Sequence, residues 1–202
     1  MWSQEVKSEQ AFNFTSMPSP ITDLHAYLEA HDLFHKTIEL KRGDYLHHAG
    51  ETNTNIYYVA KGTLRTYVFV NDEEQVIRFG YQGDYVAAMD SFINGKPTIL
   101  YSQALRKCTV RMIRKTEYMA QLAADPELAR LWQKITSWMI TGQLEREIDL
   151  LTNDPAERYR RVFERSPQLF QEIPAKYIAN YLRMTPETLS RIRSAIPPDP
   201  ST

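Results

Sequence analysis

The sequence predicts an α+β chain: short helices near the N-terminus, an antiparallel β-barrel or sandwich, one long helix, and a C-terminal group of short helices. Three observations carry this expectation. Between Ile38 and Arg114 apolar and polar residues alternate in short stretches broken by Gly43, Gly50, Gly62, Gly80 and Gly83. After Asp125-Pro126 the glycines nearly vanish, and an apolar stripe of helical period runs to Leu151. From Pro155 onward shorter amphipathic segments follow one another, separated by Ser166-Pro167 and by a three-residue turn before Thr185.

Residues 1–20 are polar, with two prolines in "SMPSP", and read as a loosely ordered arm. Ile21, Leu24, Leu28 and Leu33 then recur at nearly helical spacing, enough for one or two short helices. The N-terminus lacks the basic-then-apolar order of a secretion signal, and no apolar run is long enough to span a bilayer, so a cytoplasmic, membrane-free protein is expected. A chain of 202 residues with 43% apolar and 24% charged residues can bury one substantial core and a second small one. Its single cysteine, Cys108, cannot form an internal disulfide, and one thiolate excludes cysteine-rich zinc sites and iron–sulfur clusters; it reads as a small buried hydrophobe.

In the barrel region Leu64, Thr66, Val68 and Val70 alternate with Arg65, Tyr67 and Phe69, and "NDEE" forms a polar turn into the next strand. Glycine at strand ends supplies the backbone freedom that turns require. Histidines stand at 25, 31, 35, 47 and 48, without a spacing that argues for haem or metal. In a strand the adjacent His47 and His48 point to opposite faces, which makes them a poor metal pair, and both are expected at the surface. No metal, cofactor or catalytic residue is assigned.

The long helix is predicted over 126–152, with Pro126 in its first turn and "TNDP" at its end. Its stripe comprises Leu128, Leu131 or Trp132, Ile135, Trp138 or Met139, Leu144, Ile148 and Leu151, and it drifts around the helix. About 25 helical residues measure about 40 Å, more than one small barrel covers. Part of the stripe therefore wants a partner, and a second copy of the same helix would pair through Ile135, Trp138, Met139 and Leu144. The alternative is a helix packed entirely across its own barrel and C-terminal segment.

From Pro155 to the end, eight basic residues stand against five acidic ones, a local +3 in a chain of formal net charge −1. Within "IPAKYIANYLRMTPETLSRIRS", Ile178, Ala179 and Leu182 can face inward from a first helix, and Leu189 and Ile192 from a second. Thr185 is placed as the N-cap of that second helix, with Pro186 and Glu187 in its first turn. Two helices joined by a three-residue turn match the helix-turn-helix motif, whose second helix enters the DNA major groove. Lys176, Thr185, Glu187, Thr188, Ser190, Arg191 and Arg193 are then the candidate DNA contacts. Glu187 and Arg191 would face base edges, since carboxylate–cytosine and guanidinium–guanine pairings are those the groove rewards, while Lys176 and Arg193 lie nearer the phosphates. Otherwise the segment is an ordinary helical hairpin in which Glu187 and Arg191 form an i,i+4 ion pair.

Taken in order, "GDYLHHAGE", "IYYVAKGTLR", "QGDYV" and "IANYLRMTPETLSRIR" resemble the Crp/Fnr family of bacterial transcription regulators. "DSFINGKP" and the C-terminal stretch are most similar to the branch common in Bacteroidetes. The resemblance implies a jelly-roll barrel of cyclic-nucleotide-binding type over 21–125, a dimerisation helix over 126–152 and a helix-turn-helix domain over 153–202. It also implies double-stranded DNA, a second copy of the chain, a small-molecule effector and RNA polymerase as partners. The effector would contact Tyr85, Ala88, Met89, Thr98 and Ile99. Yet Ala88, Thr98 and Ile99 stand where cyclic-AMP-binding members carry a glutamate and an Arg-Ser pair, and a buried phosphate without a cation or donors is costly. Two further departures concern the reader: Arg183 occupies a turn position where the family has left-handed glycine, at about 1 kcal/mol, and the short proline-rich "AIPPDPST" leaves no room for a β-wing. The expected function is a dimeric DNA-binding regulator that is not an enzyme. The alternative is a ligand-binding or protein-interaction module whose helical tail no longer binds DNA.

Overall fold

The computed structural model describes residues 19–195, so nearly all of the expected N-terminal arm, and nearly all of the proline-rich stretch on which the expected absence of a wing rests, lie outside the described residues. The chain runs through α1 (Ile21–Ala30), β1 (Lys36–Leu40), β2 (Tyr45–His47), β3 (Ile56–Lys61), β4 (Leu64–Val70), β5 (Glu73–Gly80), β6 (Tyr85–Val86), α2 (Met89–Asn94), β7 (Tyr101–Ala104) and β8 (Cys108–Ile113). It continues through α3 (Lys115–Ala124), α4 (Pro126–Leu151), α5 (Pro155–Arg165), α6 (Pro167–Glu172), α7 (Ala175–Tyr181) and α8 (Pro186–Ala195).

The strands form two four-stranded antiparallel sheets, ordered β1-β8-β3-β6 and β2-β7-β4-β5, which close into a jelly roll. Between them lie Leu40, Val59, Leu64, Ala104, Cys108, Val110 and Met112, the inward half of the alternation. β4 and β5 are joined by Asn71 and Asp72, both at positive φ, the two-residue turn whose twist matches a hairpin. Gly62 is required twice over: its φ of +97° lies in the region that favours glycine, and a Cβ there would stand 2.5 Å from the Lys107 carbonyl oxygen.

Helix α4 spans 26 residues and ends at Leu151, one residue short of the expected 152, and the Asp125 carboxylate caps it by accepting from the Glu127 amide at 2.7 Å. Its first half belongs to the barrel. Leu128, Leu131 and Ile135 bury themselves among Leu24, Tyr27 and Leu28 of α1, Phe92, Ile113 and Tyr118, the last from α3, a helix the sequence pattern did not reveal. Ile135 is only 6% exposed and Met139 packs against the same cluster, which corrects their assignment to an intermolecular seam: the barrel's helical cover already occupies that side. Farther along, Ile140, Leu144, Ile148 and Leu151 are 57, 49, 44 and 72% exposed, a stripe at i, i+4, i+8 and i+11 that nothing among the described residues covers.

Helices α5 to α8 share a core of Tyr159, Val162, Leu169, Ile173, Ile178, Ala179, Leu182, Leu189 and Ile192, and Tyr67, Val76 and Phe79 of the β4–β5 hairpin complete it. Each fully buried aliphatic side chain there contributes about 1.5–3 kcal/mol. Polar groups tie this unit to α4. The Asp149 carboxylate, fully buried, accepts from Arg161 Nε at 3.2 Å and from Arg165, while Glu145 accepts from Arg161 Nη2 at 3.1 Å and from Arg165 Nη1 at 3.5 Å. No helix among the described residues is long and apolar enough to cross a membrane.

Candidate nucleic-acid interface

Helix α7 ends in a two-bond closure: Met184 N donates to Ala179 O and Arg183 N to Asn180 O, both at 3.0 Å. That closure requires a left-handed residue, and Arg183 supplies it at φ 53°. Arginine is tolerated because its carbonyl is held: Arg158 Nη2, from α5, donates to Arg183 O at 3.2 Å. One turn earlier Arg146, from α4, donates to Tyr181 O, with its guanidinium carbon 3.7 Å from the Tyr181 ring centroid. Two buried cations thus satisfy carbonyls at the C-terminal end of α7, where the helix dipole favours positive charge.

The next helix starts at Thr185, whose hydroxyl accepts from Thr188 N at 3.2 Å. Leu189 and Ile192 point into the core, and Glu187, Ser190 and Arg191 stand exposed on the opposite side. Thr188 is turned to the flank, half-buried, where with Arg191 it lines a cleft against Asp154, Pro155 and Ala156 at the start of α5. Glu187 accepts from its own backbone N–H and from the Thr185 hydroxyl, which hold its carboxyl below the ordinary glutamate range. Among the described residues Glu187 and Arg191 form no ion pair, so the exposed face is not internally neutralised.

The structure redistributes the other basic residues. Arg193 is exposed at the last turn of α8. Lys176 is exposed on α7 at a cleft lined also by Arg65, Glu74 and Val76, with its Nζ 4.6 Å from the Tyr177 ring centroid. Of the local positive excess, Arg158 is spent on backbone carbonyls, Arg161 and Arg165 on Asp149 and Glu145, and Arg160 on Glu157. Charge counting could not separate these from solvent-facing cations, because pairing depends on which helices meet. Asn180, Arg146 and Arg158 are likewise invisible to pattern reading.

The five expected effector positions do not converge. Ala88 and Thr98 are buried, but the Thr98 hydroxyl donates to Asp90 Oδ1 at 2.7 Å and accepts from Leu100 N at 3.0 Å. Ile99 is 65% exposed, Met89 packs into the helical cluster of α1 and α4, and the Tyr85 hydroxyl meets His25 Nδ1 at 3.0 Å.

His47 is the other correction. It is 1% exposed, because a bulge at Leu46 pairs Tyr45 with Gln103 and His47 with the buried Ser102. His48 does face outward, stacked on Tyr45 at 4.0 Å. Among the described residues neither ring nitrogen of His47 nor the Ser102 hydroxyl has a hydrogen-bond partner. Burial lowers the His47 pKa to about 4, against the opposing influence of Glu51 and Asp90, with His48 adding a little to the depression. Among the described residues no three His, Cys, Asp or Glu side chains are grouped to hold a metal ion.

Residues 37–125 match the family model of the cyclic nucleotide-binding domain, which defines the barrel. No curated protein matches the sequence. Among solved structures, FixK2 from Bradyrhizobium japonicum is 21% identical, with a TM-score of 0.67 over 79% of this chain and 83% of that one. A CooA mutant from Carboxydothermus hydrogenoformans is 15% identical, with a TM-score of 0.67 over 83% and 78%. The Thermus thermophilus catabolite activator protein is 19% identical, with a TM-score of 0.52 over 90% and 84%. These are likenesses of fold, and each extends well beyond the barrel into the helices.

The buried histidine makes stability depend on pH in a defined direction. Between pH 6.5 and about 4 the unfolded chain binds a proton that the folded chain refuses, so His47 costs nothing above pH 6.5 and destabilises progressively as pH falls. From pH 7 to 4.5 the wild type should lose about 2.5 kcal/mol more than His47→Leu. Denaturant titrations of both proteins at the two pH values measure this difference; equal losses would contradict it.

Proposed function

We propose that this chain is a dimeric, sequence-specific DNA-binding transcription regulator of the Crp/Fnr type. Residues 21–125 form its effector-sensing barrel, 126–152 its dimerisation helix and 153–202 its helix-turn-helix domain. The observation that carries the reading is the face of α8: Glu187, Ser190 and Arg191 stand exposed, in no ion pair among the described residues, while the opposite side is locked into a core and its leading turn is held by two buried guanidiniums. A helix held rigidly with polar, major-groove-compatible side chains outward suits direct base readout. The fold likeness to FixK2 and to the catabolite activator protein, running through barrel and helices together, supports the same arrangement.

In this reading the effector is recognised by other means than the usual cyclic-AMP ligands. Ala88 offers no ribose contact, Thr98 is committed to Asp90, and Ile99 faces solvent. RNA polymerase would be a further partner of the DNA-bound dimer. The uncovered stripe of Ile140, Leu144, Ile148 and Leu151 supports dimerisation, with the seam shifted toward the C-terminal half of α4.

Two experiments follow. Leu144→Glu combined with Ile148→Glu should yield monomer in sedimentation velocity with an unchanged far-ultraviolet circular dichroism spectrum, since both side chains are exposed in the single chain. A dimer surviving both changes would place the interface elsewhere. In binding titrations at several salt concentrations, Arg191→Ala should cost about 1–3 kcal/mol and relax preference at one base position of each half-site. Arg193→Ala should weaken all sequences alike and lower the salt slope by about 1. Identical behaviour of the two variants would remove the distinction between base and phosphate contacts on which the reading rests.

A further inference from the structure

β5 is the outer strand of its sheet, so one of its edges meets no other strand. On such an edge backbone donors and acceptors two residues apart are open to pairing. A single side chain takes both at one place: Asn180 Oδ1 accepts from Val76 N at 2.7 Å, and Asn180 Nδ2 donates to Glu74 O at 2.7 Å. The carboxamide of α7 therefore stands in for one residue of an added strand. Beside it, Arg65 donates to Glu74 and to Gln103 Oε1, and its guanidinium carbon lies 4.5 Å from the Tyr177 ring centroid, stacking the barrel against the same helix. At the other end of the junction Glu172 accepts from the Thr63 hydroxyl at 3.0 Å and, through its carbonyl, from Arg106.

Apolar packing makes part of this junction, since Val76 and Phe79 join the core of α7 and α8. A cleft of about 390 Å³, lined by Arg65, Glu74, Val76, Lys176, Tyr177 and Asn180, opens next to the clasp. The backbone groups that Asn180 holds can therefore be rehydrated if it lets go, which makes the clasp itself a reversible polar contact at the edge of that core. Asn180 is also the residue whose carbonyl accepts from Arg183 N in the turn that aims α8. One residue thus touches both the barrel edge and the turn of the reading pair.

We propose that Asn180 is a positioning residue: it sets the angle at which the barrel carries α7 and α8, and through that angle the half-site spacing the dimer accepts. The proposal rests on the reading of α8 as a DNA-reading helix. Alanine at 180 removes both bonds. Aspartate keeps the shape and the acceptor for Val76 but has no donor for Glu74 O and sets a negative charge against that carbonyl, so it should fall between wild type and alanine.

The test uses the full-length protein as wild type, Asn180→Ala and Asn180→Asp. Amide hydrogen exchange reads the clasp without DNA: Val76 should exchange at least about tenfold faster in the alanine variant, with Val110 in the opposite sheet unchanged as a control on folding. Affinity is then measured for duplexes carrying two copies of the half-site selected by the wild type from a random pool, with the spacer lengthened by one and two base pairs. The wild type should lose about tenfold or more per added base pair and the alanine variant about threefold or less, with equal affinity for a single half-site. Unchanged Val76 exchange, or wild-type spacing discrimination in Asn180→Ala, would overturn the proposal. If the wild type selects no DNA while Val76 remains slow to exchange, the DNA reading fails rather than the clasp, and the role in spacing is withdrawn with it.

Discussion

Everything C-terminal of the barrel depends on one buried carboxylate. Asp149, near the end of α4, has no exposed side-chain surface and binds Arg161 and Arg165 of α5. A charge so placed is tolerable only while its partners are present, and removing one side of such a pair costs about 3–5 kcal/mol because the other is left uncompensated. The same turns of α4 and α5 contribute Arg146 and Arg158, whose guanidiniums end on the carbonyls of Tyr181 and Arg183. Long helix, connecting helix and turn are thereby made one body by polar groups rather than by apolar contact alone. That body explains how an arginine can occupy the left-handed position of the turn.

This arrangement divides α4 into regions with separate duties. The first three turns are absorbed by α1 and α3 against the barrel, the last carry the polar hub, and a stripe between and beside them stays uncovered. A stripe of four exposed aliphatic side chains at helical spacing on a helix rooted at both ends is suited to pairing with its own copy, since the same residues then meet across a two-fold axis. The barrel also meets these helices at the junction between β5 and α7, where the Asn180 clasp lies at the edge of a shared apolar core. The hub on α4 and this junction are two physical routes by which a change in the barrel could alter the placement of α8.

Much of the fold was readable from residue pattern, for reasons that are local. The strands of the β4–β5 hairpin flank a two-residue polar turn, although a bulge at Thr66–Tyr67 interrupts their alternation, and α4, α5 and α8 announce themselves by an Asp-Pro, Asp-Pro or Thr-Pro start, where the cap and the proline act within one turn of chain. The inward faces of α7 and α8 were correctly drawn from Ile178, Ala179, Leu182, Leu189 and Ile192. What escaped depends on contacts distant in sequence. Ile135 looks like any other member of the stripe until α1, far earlier in the chain, is seen to cover it. His47 is buried by a bulge, which shifts the alternation by one residue and leaves no mark in composition. Asn180 carries no signal at all, because an asparagine bridging a strand edge and a solvent-facing asparagine are the same letter.

The central claim is that two copies of α8, held at a set distance by two copies of α4, read one duplex. Selection of bound sequences from a random pool of duplexes, using the full-length protein at moderate salt, tests it most directly. The account predicts enrichment of an inverted repeat whose half-site centres lie about one helical turn apart, roughly 10 base pairs. A folded dimer that enriches no sequence, or that enriches a single unrepeated half-site, would contradict it.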